Sequence, residues 1–80
     1  MRSQLKKVLI IDDDSRNIFA LKAVLESKSF QCVVAYGGKE GLRKLETEND
    51  IGVVLLDMMM PEMDGYETLS LIREGSKKDV

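Results

Sequence analysis

Acidic residues placed where the chain leaves an apolar run are the side chains of this sequence best suited to chemistry. Asp12, Asp13 and Asp14 follow directly on "VLII", and Asp57 follows directly on "VVLL". Two unit charges about 4 Å apart repel by about 4 kcal/mol at an effective dielectric near 20, so adjacent acids call for a counter-charge. A divalent cation supplies one. Mg2+ takes one or two carboxylates, keeps several waters and shares a phosphoryl oxygen. A carboxylate beside it can act as a nucleophile toward phosphorus and form an aspartyl phosphate. The competing account is local: Asp13 and Asp14 favour the positive end of a helix, and Asp57 opens a turn. Asp14 fits that account, whereas Asp12, Asp13 and Asp57 are read together as a site.

For these acids to meet, the segments that carry them must be neighbouring parallel strands. "KKVLIID" has the continuous apolar character of a buried strand. A first helix follows, with Asp14 or Ser15 as its N-cap. Ile18, Leu21, Val24 and Leu25 recur in it at helical spacing, and Phe19 and Ala20 widen the stripe. "CVVAY" reads as a second strand. Gly37 and Gly38 break it before a weaker helix carrying Leu42 and Leu45. Gly41 inside that helix costs up to about 1 kcal/mol against alanine. "IGVVLLD" is a third strand, and the loop "MMMPEMDG" leads to a helix in which Tyr66, Leu69 and Ile72 share a face. The order β-α-β-α-β-α predicts a parallel sheet with right-handed crossovers. All strand ends of one polarity then lie on one edge. If the first and third strands are neighbours, the acids converge in the crevice where open α/β sheets bind ligands.

Composition sets the frame. The chain has 80 residues, 44% hydrophobic and 32% charged, with net charge -2, which fits one globular domain with a modest core. Cys32 is the only cysteine. It is expected to be a small buried side chain, and it fits a reducing, cytoplasmic setting. The apolar run after Lys6 and Lys7 is too short for a signal segment, and no stretch is long enough to span a membrane. The absence of a basic cluster argues against direct nucleic-acid binding. Met58, Met59, Met60 and Met63 are read as apolar packing, because Mg2+ avoids sulfur. Tyr36 and Tyr66 are read as half-buried packing residues. A calcium loop is excluded, since Arg16 occupies a ligand position and no glycine follows.

Taken together, "VLIIDDD", "AYGGKEGLRKL" and above all "VVLLDMMMPEMDG" resemble the receiver domain of two-component response regulators and hybrid histidine kinases. "DDDSRNIFALKAVLE" looks closest to receivers attached to hybrid kinases. The resemblance implies a flavodoxin-like, doubly wound parallel sheet, here truncated to strand order 2-1-3. It implies that Asp57 accepts a phosphoryl group from a histidine kinase or phosphotransfer protein, in a signalling module rather than an enzyme acting on a metabolite. Asp13 and Asp57 would hold Mg2+ directly, Asp12 through a water and Met59 through its backbone carbonyl, with Pro61, Asp64 and Gly65 shaping the loop. Residues 1–80 would be a partial receiver. The Thr or Ser ending the family's fourth strand and the Lys ending its fifth fall outside it, and Lys77 and Lys78 are no substitute. The third strand would then be an exposed edge, completed by the rest of a longer protein or by another copy through swapping or edge pairing. Two other readings stand beside this one. One is an interaction fragment of the receiver fold that holds no phosphoryl group. The other is a haloacid-dehalogenase-like phosphatase using Asp12 and Asp14, which "VLIIDDDSR" resembles apart from Arg16, and which leaves "LLDMMMPEMDG" unexplained.

Overall fold

β-branched and aliphatic residues fill the strands of the computed structural model, β1 (Lys7–Ile11), β2 (Cys32–Ala35) and β3 (Ile51–Leu56). The helices α1 (Ser15–Ser27), α2 (Gly38–Thr47) and α3 (Gly65–Glu74) follow them in turn. The structure describes residues 7–57 and 65–74, apart from the side chains of Tyr66 and Glu74. The strands form one parallel sheet, as the alternation of strand and helix predicts, in the order β2-β1-β3 that the family resemblance implies.

β1 sits in the middle and is buried from Val8 onward because helices cover both of its faces. On one side Val8 and Ile10 pack with Ile18 of α1, joined by Leu25, Cys32, Val34 and Leu55. On the other, Leu9 and Ile11 pack with Ala35, Leu45 of α2, Ile51 and Ile72 of α3. This is the doubly wound arrangement of flavodoxin-like sheets. Gly41 is what lets α2 approach: a methyl group there would meet the buried side chain of Ile11, with Cγ1 2.8 Å away. The helix propensity that the glycine forfeits therefore gives close packing in return.

β3 contains one irregularity that matters for the site. Lys7 pairs with Ile51 and Val8 with Val53, so Gly52 has no counterpart in β1. Such a bulge shifts side-chain alternation by one. Ile51 consequently faces the α2/α3 side while Leu55 faces α1, and from Val53 onward the pairing is regular up to Ile11 with Leu56. No strand lies beyond β3 among the described residues, and Val53 is 49% exposed.

The apolar stripe of α1 is narrower than the sequence suggests. Ile18 is buried and Leu25 half-buried, but Val24 is exposed and Phe19 is 77% exposed. At 100° per residue, Ile18 and Leu25 nearly coincide, while Phe19 and Val24 fall on either side of the helix. The inward side of α3 likewise carries Gly65, Thr68 and Ile72, with Leu69 at its margin. Tyr36 is more exposed than expected. No helix among the described residues is long and apolar enough to cross a membrane.

Candidate functional site

The parallel ladder runs one step past the strands and fixes where the acids fall. The Asp12 N–H donates to Ala35 O at 3.1 Å, and the Asp57 N–H donates to Ile11 O at 2.9 Å. Asp12 continues the alternation of Val8 and Ile10, and Asp57 that of Val53 and Leu55, so both emerge on the same side of the sheet edge. The result is a cluster: ligand oxygens of Asp12, Asp13 and Asp57 all lie within 4.8 Å of one another. Asp12 forms the floor, being only 8% exposed, while Asp57 is half-buried and Asp13 exposed.

The donor set consists of hard carboxylate oxygens, the kind Mg2+ selects over nitrogen or sulfur. Ligand oxygens gathered this closely can face one small divalent ion together. The three residues present fit the ion.

Asp14 stands apart from the cluster, as its reading as a cap requires. It is the N-cap of α1, its Oδ1 accepting the Arg16 N–H at 2.9 Å. The Arg16 guanidinium closes on the same carboxylate, Nη2 to Oδ2 at 3.3 Å and Nε to Oδ1 at 3.4 Å. These bonds and the positive charge hold the Asp14 carboxyl below its ordinary value.

Asn17 is the residue that the sequence reading missed. Its Nδ2 donates to Asp12 Oδ2 at 3.4 Å, while the Asp14 N–H donates to Asp12 Oδ1 at 2.9 Å. Residue type gave no signal, because Glu or the amide Gln is customary at the third residue of a helix and Asn17 departs little from that pattern. Gly65 is buried at the first position of α3. Met59, Pro61 and Asp64 lie outside the described residues, as do Lys77 and Lys78. Cys32 is half-buried rather than fully enclosed, and burial, then the charge of Glu26, pushes its thiol up. It borders an open cleft of about 330 Å³ with Lys7, Glu26, Phe30, Gln31 and Val33, at the end of the sheet away from the acids.

Comparison with known proteins accounts for this combination of parallel sheet and acidic edge. The sequence model of the response regulator receiver domain matches residues 8–80. The chain belongs to that family. It is 37% identical over 76 residues to the transcriptional regulatory protein CpxR of Escherichia coli, covering 95% of this chain and 32% of that protein. A response regulator receiver protein from Pseudomonas putida superposes with a TM-score of 0.88 at 29% identity, over 91% of this chain and 60% of that one. The response regulator TrrA of Thermotoga maritima, solved in complex with Mg2+-BeF, superposes with a TM-score of 0.85 at 32% identity, over 91% of this chain and 63% of the other. The chain thus spans about a third of this curated relative and about three-fifths of these solved chains.

Proposed function

We propose that this chain is the phosphoacceptor part of a two-component receiver, in which Asp57 takes a phosphoryl group from a phosphohistidine on a histidine kinase or phosphotransfer protein. The observation that carries the reading is the convergence of Asp12, Asp13 and Asp57 at the carboxyl ends of β1 and β3. A carboxylate oxygen of Asp57 forms the new P–O bond as the P–N bond of the donor breaks. The electron pair of that bond goes to the imidazole nitrogen, which takes up a proton. Asp13 and Asp57 would hold Mg2+ directly, Asp12 through water and Met59 through its backbone carbonyl, and Pro61, Asp64 and Gly65 would shape the loop. Mg2+, when bound, offsets the negative charge shared by the phosphoryl oxygens and the carboxylates. The module acts on no separate metabolite; its chemistry is its own phosphorylation and the loss of that group.

Residues 1–80 are proposed to be the first three βα units of a receiver, completed along the outer edge of β3 by the rest of a longer protein or by a second copy. A lone cysteine fits a cytoplasmic setting. The test is incubation of the intact protein that carries this chain with Mg2+ and acetyl phosphate, followed by mapping of the acyl phosphate. Label on Asp57 that disappears in Asp57→Asn supports the reading. Label on Asp12 with turnover of the donor would instead make the protein a phosphatase, and no label would leave an interaction module.

A further inference from the structure

We infer that Asn17 is a positioning residue of the acidic site: its amide, bonded to Asp12 Oδ2, aims the Asp12 carboxylate into the cluster and thereby sets the affinity for the divalent cation. The inference rests on the proposed Mg2+ site. Asp12 is held at three points. Its backbone N–H is fixed to Ala35 O, its Oδ1 to the Asp14 N–H and its Oδ2 to Asn17 Nδ2. The first two come from the backbone and survive any substitution on α1. The third is a side chain and is the adjustable one. A carboxylate oxygen accepts more than one hydrogen bond, so each Asp12 oxygen keeps capacity for a water on the ion.

The choice of residue points the same way. Asparagine is a poor helix former, and the N-cap duty is already discharged by Asp14. An acid in the first turn would interact well with the helix dipole, yet α1 has none there. Next to Asp12, Asp13 and Asp57 a glutamate at this place would bring a further negative charge, whereas an amide brings a donor. Groups that orient a metal ligand from behind change metal affinity when removed, which is the behaviour expected of Asn17.

The experiment is Mg2+ binding, followed by calorimetry and by the amide resonances of residues 12, 13 and 57, in the intact protein that carries this chain. In Asn17→Ala the Mg2+ dissociation constant should rise by about three- to tenfold. The melting temperature should not fall, because alanine is the better helix former. Labelling of Asp57 by acetyl phosphate should slow by a similar factor at limiting Mg2+ and recover at saturating Mg2+, a split that a merely structural residue would not produce. The pair Asn17→Gln and Asn17→Met, alike in length and differing in the amide, gives a second measurement: the Gln variant should bind Mg2+ more tightly. Parental affinity in both the Ala and Met variants would overturn the role of Asn17 and leave the phosphoacceptor reading standing. A parent protein that binds no Mg2+ would overturn both.

Discussion

Asp14 and Arg16 close on each other beside the acidic cluster, where Asp14 serves as the N-cap of α1. The folded pKa of Asp14 lies below its ordinary 3.8, through hydrogen bonds from the Arg16 side chain and then its backbone N–H. Its contribution to stability is therefore complete above that value and is lost as pH falls through the folded pKa. Arg16→Ala should move the Asp14 carboxyl titration upward, part of the way to 3.8, because the backbone bond remains; an unchanged NMR midpoint would contradict this. At Cys32 burial disfavours the thiolate, so alkylation by iodoacetamide near pH 8 should run several-fold slower than for free cysteine. Residue types at strand ends made Asp12, Asp13 and Asp57 legible in the sequence. Asn17 was not, because its role depends on the path the chain takes between Asp12 and the first turn of α1.

Among the elements, α1 shows how a helix can be placed correctly and its faces misassigned. Period and cap fixed its position, but how wide an apolar stripe is buried depends on how much sheet lies beneath it. Its C-terminus is closed by a Schellman arrangement: the Ser29 N–H donates to Glu26 O at 3.0 Å and the Phe30 N–H to Leu25 O at 3.1 Å. Ser29 sits there at φ 74, a region that costs L-residues energy and glycine little. Ser29→Gly should stabilise the fold by about 0.5–1 kcal/mol, read from the urea midpoint. Gly41→Ala should do the opposite. The gain in helix propensity, up to about 1 kcal/mol, is outweighed by crowding against Ile11 in a packed core, for a net loss of about 1–2 kcal/mol. The sequence marked Gly41 as a cost to its helix; only the approach of α2 to β1 supplies the reason for it.

At the scale of the molecule, the parallel sheet was legible in continuous apolar strands separated by helices, while its strand order came from the family resemblance. What the sequence could not settle is how β3 is covered, because cover depends on groups beyond the alternation that identifies the strand. With Val53 half-exposed and no strand beyond it among the described residues, the 80-residue chain by itself should associate as its concentration rises, which sedimentation would detect. It should also accept phosphate from acetyl phosphate poorly. The segment that completes a receiver, added in trans, should restore both a defined size and labelling of Asp57. A stable, efficiently labelled monomer of these residues alone would refute this account of β3.

The unmatched Gly52 gives the chain a tolerance in length. Were it drawn into the ladder opposite Val8, every later side chain would change sides and Asp57 would leave the sheet on the face away from Asp12. Set aside as a spare, it can be excised without altering which face any neighbour occupies. One deletion is therefore harmless to delivery of the acceptor, whereas a slip of the same size ruins it.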